Sequence, residues 1–278
     1  MILKHEKIYY GAHPLIETVV IKPPFRLSFN FPDEACFIYF KSGETKINAP
    51  YQKQSVRSNN AVLLRCGTYF SELLPTIEQE VYEILVFHLP KELIRKIYIN
   101  EFRVIPKPHN KNFIYKISSS SILTEFIKGL QFYLKTPKIV SEELLNLKIQ
   151  ELILLLSQTQ NVTTIQELLS DAFSPVEVNL KEVVNSHIFT DCSINDLAVL
   201  CNQSPSTFNR NFRNIFNDTP SNYIKTRRLE KAKYLLEHTR LTVSEIAFET
   251  CFYDTPHLSK SFKEKYGNTP NEYRNMIQ

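Results

Sequence analysis

The sequence predicts an α+β protein of two domains, a β-barrel or sandwich with helices at its end and then an all-α domain. The first observation is the length, because 278 residues exceed a typical single domain. The second is that short segments rich in Val, Ile, Phe and Tyr alternate with turn residues over residues 1–89. The third is a change of period, since apolar residues recur at helical spacing throughout residues 174–278.

The composition excludes several classes of protein. Gly occurs only five times, and no phosphate-binding glycine motif is present. The longest strongly apolar run, residues 152–156, is far too short to cross a membrane, and the opening MILKHEKIYY lacks the apolar core of a secretory signal. Five widely spaced Cys fit neither a disulfide framework nor a zinc ribbon. We therefore expect a reduced, cytoplasmic protein with no membrane segment.

The first domain is predicted to begin with strands, because each segment is short, β-branched or aromatic, and bounded by turn residues. Their spacing of about ten residues is typical of a sandwich or barrel. The predicted strands are 17–22, 25–29, 35–43, 44–49, 61–66 and 81–89.

Helices follow these strands at 89–98, 120–134 and 141–158. The last is apolar around much of its circumference, so it must be buried against the barrel or against another subunit. We expect residues 120–158 to hold a homodimer. A polar stretch then predicts three parts of the chain, a domain at 1–160, a linker at 161–173 and a domain at 174–278.

The second domain is predicted to consist of helices with clear start signals. Ser193 and Ser204 are expected N-caps, and Pro205 occupies the first helical position after its cap. Positive charge is concentrated here: residues 205–278 hold 12 Lys and Arg against eight Asp and Glu, which equals the net charge of +4 of the whole chain. The predicted helices are 174–188, 192–200, 204–216, 220–238, 242–250, 255–266 and 269–277.

One pattern occurs twice in this domain. NFRNIFNDTPSNYI at 211–224 and SFKEKYGNTPNEYR at 261–274 share Phe, an aromatic four residues later, Thr-Pro, and Tyr three residues after the Pro. Upstream, Ala198 and Ala247 provide the small residue that two closely crossing helices need. We therefore predict two helix-turn-helix units, at 193–216 and 243–266. Their apolar positions, including Phe208, Phe212, Leu258 and Phe262, are assigned to the core.

The opposite face of the second helix in each unit is polar and cationic. A polar helix face is usually only a solvated surface, but its repetition on two helix-turn-helix patterns favours DNA recognition. Residues near the N-terminus of each helix are expected to contact base edges, and cations further along to contact phosphates. The predicted base contacts are Ser206, Asn209, Arg210, Thr255, Pro256, Ser259 and Lys260, and the predicted phosphate contacts are Arg213 and Lys263.

Residues 175–278 resemble the DNA-binding domain of the AraC/XylS family of bacterial transcription regulators. The motif residues are Ala247, Phe252, Asp254, Phe262, Lys263, Gly267, Pro270, Tyr273 and Arg274, and Cys251 stands where the family usually has Gly. The resemblance implies two helix-turn-helix units joined by one long helix, here 220–238, which is roughly 28 Å long at 1.5 Å per residue. Two recognition helices could then enter successive major-groove segments.

The resemblance also implies partners and an N-terminal architecture. The family often carries a cupin-like barrel followed by dimerisation helices, and residues 17–158 are loosely similar to that layout. We expect a DNA-binding regulator, an activator, that contacts RNA polymerase. Its effector is either a small molecule or a protein.

The alternative is a metal-dependent cupin enzyme with a helical appendage. Cupin metal sites use a His-x-His pair, and the histidines at 5, 13, 88 and 109 form none. We therefore predict no metal site, no cofactor and no catalytic residues. Cys36 and Cys66 lie in predicted strands and are expected to pack as small apolar residues.

Overall fold

The computed structural model describes residues 1–73, 75, 80–98, 112–117, 121–159, 169–170, 173 and 178–277. The chain divides into two compact units, Met1–Glu177 and Val178–Gln278. The predicted linker at 161–173 lies almost entirely outside the described residues, so its boundaries stay a prediction. None of the helices described is both long enough and apolar enough to cross a membrane.

The described part of the first unit contains two antiparallel sheets. The strands are β1 (Ile2–Tyr10), β2 (His13–Ile21), β3 (Phe25–Phe31), β4 (Glu34–Phe40), β5 (Thr45–Ala49), β6 (Gln52–Val56), β7 (Asn60–Leu64), β8 (Gly67–Leu73), β9 (Tyr82–Pro90) and β10 (Ile114–Ile117). One sheet has the order β1-β2-β9-β4-β7-β10 and the other β3-β8-β5-β6. The prediction of a β-rich domain is confirmed, although in the described residues the two sheets are separate and do not close into one barrel.

Each predicted strand coincides with one of these, but several observed strands have no counterpart in the prediction. β6, with sequence QKQSV, is polar and forms the edge of the smaller sheet, so it lacks the apolar signal of an inner strand. β1 is the edge of the larger sheet and is mostly exposed. The predicted strand 35–43 ends earlier, at Phe40, because Gly43 lies in the following turn with a φ of 95°.

The α-helices whose bounds the structure describes in this unit are α1 (Lys91–Ile97), α2 (Ser121–Lys135) and α3 (Glu142–Thr159), and a 3-10 helix spans Pro137–Ile139. The inner faces of α2 and α3 belong to the core of their own unit. The ring centroids of Phe126 on α2 and Phe87 on β9 lie 6.2 Å apart, and Leu145 and Leu152 on α3 are buried. The outer face of α3 carries Leu147 and Leu154, which are 61% and 49% exposed. One face of α3 is thus buried within its own unit, and burial of α3 against another subunit stays a prediction.

The second unit contains only helices in its described residues. They are α4 (Leu180–His187), α5 (Ile194–Leu200), α6 (Pro205–Phe216), α7 (Pro220–His238), α8 (Val243–Glu249), α9 (Thr255–Tyr266) and α10 (Pro270–Ile277). Six of these agree with the predicted helices within two residues. The prediction for 174–188 is wrong at residues 178 and 179, because the Asn179 side chain accepts from the N–H groups of Lys181 and Glu182 and so caps a helix that starts at Leu180. Residues 174–177, including Pro175, lie outside the described residues.

Candidate nucleic-acid interface

The first helix-turn-helix unit is formed by α5 and α6. Ser193 caps α5 in a capping box with Asp196, and Ser204 caps α6 through the N–H of Thr207. Between the helices, Asn202 adopts a left-handed conformation with a φ of 53°. Ala198 is buried at the base of the turn, where its carbonyl accepts from the N–H of Gln203.

The second unit, α8 and α9, repeats this backbone. Cys251 takes the place of Asn202 and has the same φ of 53°. The N–H of Phe252 donates to the carbonyl of Ala247, as the equivalent group does in the first unit. The additional residue of the second turn is Tyr253, which is 94% exposed. The substitution of Cys for the family's usual Gly therefore leaves the turn intact.

The aromatic cores of the two units are also alike. Phe212 and Tyr223 lie 5.6 Å apart between ring centroids at 73°, and Phe262 and Tyr273 lie 5.6 Å apart at 67°. Phe208, Phe212, Leu258 and Phe262 are fully buried, as predicted. The repeated pattern of apolar residues therefore forms the core of the same supersecondary unit twice.

The predicted recognition faces lie on the solvent side of α6 and α9. Ser206, Arg210 and Arg213 are exposed, whereas Asn209 is half-buried and donates from Nδ2 to the carbonyl of Pro205 at 2.8 Å. This side-chain amide must leave its backbone partner before it can contact a base. On α9 the exposed residues are Pro256, Lys260 and Lys263, and the half-buried ones are Thr255 and Ser259.

Four cations on these faces differ from their neighbours in their pairing. Within the described residues, Arg210, Arg213, Lys260 and Lys263 form no ion pair. Other cations of the same unit do: Lys225 lies 3.2 Å from Glu264, Arg227 lies 2.8 Å from Glu230, and Lys265 lies 3.4 Å from Glu230. The charge of the four face residues is thus available to an anionic partner such as a phosphate backbone.

Arg228 was not among the predicted site residues. It joins the segment before the first helix-turn-helix unit to the turn of the second. Its guanidinium donates to the carbonyls of Ile188 at 2.8 Å, Thr190 at 2.7 Å and Cys251 at 2.7 Å. The first two acceptors lie before the first unit, and the third lies in the turn of the second. Burial lowers the pKa of this guanidinium. In the sequence, nothing distinguishes Arg228 from its exposed neighbour Arg227.

The N-terminal compact unit, Met1–Glu177, contains a cavity of about 260 Å³ between its two sheets. This exceeds the ~150 Å³ of an apolar cavity that binds benzene. The lining is almost wholly apolar, and its polar residues are His5, Glu17, Ser71 and His88. Apolar lining residues come from both sheets, among them Val19, Ile38 and Val86 from the larger and Phe25, Phe29 and Ile47 from the smaller.

Two family models match the chain. Residues 35–168 match the ExsA N-terminal regulatory domain, and residues 197–276 match a helix-turn-helix domain that contains most of both units described above. Residues 197–276 therefore form a helix-turn-helix domain of the AraC type.

Two curated relatives are similar over more than half of this chain. The Msm operon regulatory protein of Streptococcus mutans is 28% identical over 161 residues, 58% of this chain and 57% of its own length. The virulence regulon transcriptional activator VirF of Yersinia enterocolitica is 26% identical over 155 residues, 56% of this chain and 57% of its own length. The chain thus spans little more than half the length of these relatives.

A solved structure is similar to about a third of the chain. The DNA-binding domain of AdpA, in complex with a target DNA, is 30% identical, with a TM-score of 0.34, and the match covers 35% of this chain and 90% of that chain.

Proposed function

We propose that this chain is a sequence-specific DNA-binding transcription regulator that uses α6 and α9 as two recognition helices. The observation that carries the proposal is the repeated geometry: two helix-turn-helix units with the same turn each expose unpaired cations at corresponding positions of the second helix. A single solvated helix face would not require the same cationic positions at one offset. Duplicate faces suit a duplex that presents its major groove once per turn.

The residues divide by their position along each helix. Those in the first turns are proposed to contact base edges, where Arg210 can form a bidentate pair with guanine and Asn209 with adenine. Arg213 and Lys263 lie one turn further along and are proposed to contact phosphates. The remaining proposed base contacts are Ser206, Thr255, Pro256, Ser259 and Lys260.

The regulatory half is proposed to control this binding. VirF is named as a transcriptional activator, which supports activation by this chain. We propose contact with RNA polymerase as part of that activation. We expect it to act in the cytoplasm, where bacterial DNA lies, and to be a regulator rather than an enzyme. The effector is a small molecule or a protein, and the apolar cavity between the sheets supports the first.

A homodimer through residues 120–158 is proposed to use the outer face of α3. Leu145 and Leu152 pack inside their own unit, whereas Leu147 and Leu154 are exposed two helical turns apart on one stripe. Leu147→Glu with Leu154→Glu should give a folded monomer in analytical ultracentrifugation. Tyr234→Glu, at an exposed site in the C-terminal compact unit, should leave the dimer intact. A dimer that survives the double change would place the interface elsewhere.

The whole proposal is tested by sequencing the genomic DNA that the purified chain retains. The wild type should enrich one asymmetric motif with two halves about one helical turn apart. A variant with Ala at Arg210, Arg213, Lys260 and Lys263 should lose that enrichment while it stays folded. Retention of DNA without any shared motif would reduce the chain to a non-specific binder and contradict the proposal.

A further inference from the structure

Three side chains of different chemistry meet at one place in the larger sheet. Cys36 on β4 lies directly opposite His88 on β9, and Glu34 precedes Cys36 by two residues, so it points to the same side of the sheet. The Cys36 side chain is fully buried, and His88 is 8% exposed. One ligand-type atom from each of the three lies within 4.8 Å of the other two.

Two of the separations between these atoms are close to those around a tetrahedral metal ion. Cys36 Sγ lies 3.6 Å from His88 Nδ1, and His88 Nδ1 lies 3.2 Å from Glu34 Oε1. With ordinary bond lengths, tetrahedral zinc holds a sulfur and a nitrogen about 3.6 Å apart and a nitrogen and an oxygen about 3.4 Å apart. We propose that Glu34, Cys36 and His88 form a binding site for a divalent cation of the zinc type.

The charges of the three donors also suit such an ion. A thiolate and a carboxylate together balance a 2+ ion, and the neutral imidazole adds no charge. This balance matters because an uncompensated charge is costly to bury. A sulfur, a nitrogen and an oxygen donor favour zinc over the hard cations Ca²⁺ and Mg²⁺, which prefer oxygen ligands alone.

The surroundings of His88 supply the support that metal-bound histidines normally have. Its other ring nitrogen, Nε2, is buried, finds no hydrogen-bond partner among the described residues, and lies 3.7 Å from Glu17 Oε1. Glu17 is itself held by His5 at 2.8 Å and by Lys7 at 2.9 Å. A small movement would give the carboxylate–histidine–metal arrangement that fixes the ring and its tautomer. Because His88 and Glu17 line the cavity between the sheets, a fourth ligand would come from that cavity.

The experiment uses the full chain, freed of metal with a chelator and titrated with Zn²⁺ and, separately, with Co²⁺. The wild type should bind one equivalent, show a thiolate-to-cobalt charge-transfer band, and unfold at a higher temperature with Zn²⁺. Cys36→Ser should abolish the band. Glu17→Gln should keep the band but weaken the affinity about 10–100-fold. These readouts do not depend on DNA binding. The experiment can therefore contradict the metal site without contradicting the proposed regulator function, and a failure of the proposed function would leave the metal site untouched.

A matched control is present in the C-terminal compact unit, Val178–Gln278, where Cys192 Sγ lies 3.3 Å from His187 Nδ1. Cys192→Ser removes a thiol that also touches an imidazole, and it should leave the band unchanged. A band that survives Cys36→Ser or disappears in Cys192→Ser would overturn the proposed site. So would a wild type with neither band nor thermal shift, and this last result decides the matter even if Cys36→Ser fails to fold.

Discussion

Asn202 and Cys251 occupy the same position in the two helix-turn-helix units, and each has a φ of 53°. Asn is favoured in this left-handed conformation because its short polar side chain can form a local hydrogen bond, whereas Cys adopts it at a steric cost. The carbonyl of Cys251 accepts a hydrogen bond from the Arg228 side chain. The carbonyl of Asn202 is not one of the acceptors of Arg228. The first turn is therefore stabilised by its own residue, and the second by a distant one. One backbone can thus be reached by two routes.

The faces mounted on this backbone differ as well. The first unit presents Arg210 and Arg213, and the second presents Lys260 and Lys263. Arg has a planar fork that pairs with guanine, while Lys is a compact point charge on a flexible stem. The caps differ too, with the neutral Ser204 before α6 and the charged Asp254 before α9. A shared scaffold with unequal faces suits an asymmetric site in which one half supplies more of the selectivity.

The largest expected effect comes from loss of the Arg228 hydrogen bonds, which join the segment before the first helix-turn-helix unit to the turn of the second. Arg228→Met removes three hydrogen bonds from a charged group and leaves carbonyls at Ile188, Thr190 and Cys251 without this donor. We expect a loss of about 2–4 kcal/mol in the free energy of unfolding, measured by urea denaturation. Preference for the spacing of the two DNA halves should also broaden. The control, Arg227→Met, removes an exposed ion pair and should change stability by less than about 0.5 kcal/mol.

The next effect separates the halves of the DNA site. Arg210→Ala should weaken binding by about 1–3 kcal/mol and relax the preference at one or two base pairs, because a bidentate contact is lost. Lys260→Ala should have a smaller effect, confined to the other half. Binding selections on the two variants measure both. Unchanged base preferences in Arg210→Ala would mean that α6 only contacts the backbone.

A smaller effect concerns the proposed phosphate contacts. Arg213→Ala and Lys263→Ala should each weaken binding to all sequences about equally and reduce the salt slope by about one. Because phosphate contact needs charge rather than a planar fork, the two units should here behave alike. Affinity measured at several salt concentrations tests this. A sequence-dependent loss in either variant would reassign that residue to base contact.

The smallest effect tests the two routes to the turn. Cys251→Gly should stabilise the chain by about 0.5–1 kcal/mol. Gly adopts the left-handed conformation without a steric cost, but part of this gain is offset because Gly loses more conformational entropy on folding. Asn202→Gly should be nearly neutral. Urea denaturation of both variants gives the comparison. Equal changes at the two positions would show that Cys251 is not strained.

The sequence by itself predicted six helices of the C-terminal unit within two residues and the solvent-exposed faces of α6 and α9. Caps such as Ser193 and Ser204, and stripes such as Phe208 and Phe212, depend on neighbours within one or two turns, so the chain order contains them. The family motif at the end of the chain adds the same information. The candidate contacts on α6 and α9 follow directly, because an amphipathic helix with a buried stripe leaves one face outside.

Only the tertiary structure decided which distant residues meet. Arg228 contacts carbonyls far along the chain in both directions, and Glu34, Cys36 and His88 meet because β4 pairs with β9 in one register. The same holds for α3, where packing buries Leu145 and exposes Leu147 although both are Leu. Local propensity fixes which face an element can bury, but strand register and helix packing fix what lies against that face. A shift of one residue would turn each side chain to the other side of its sheet.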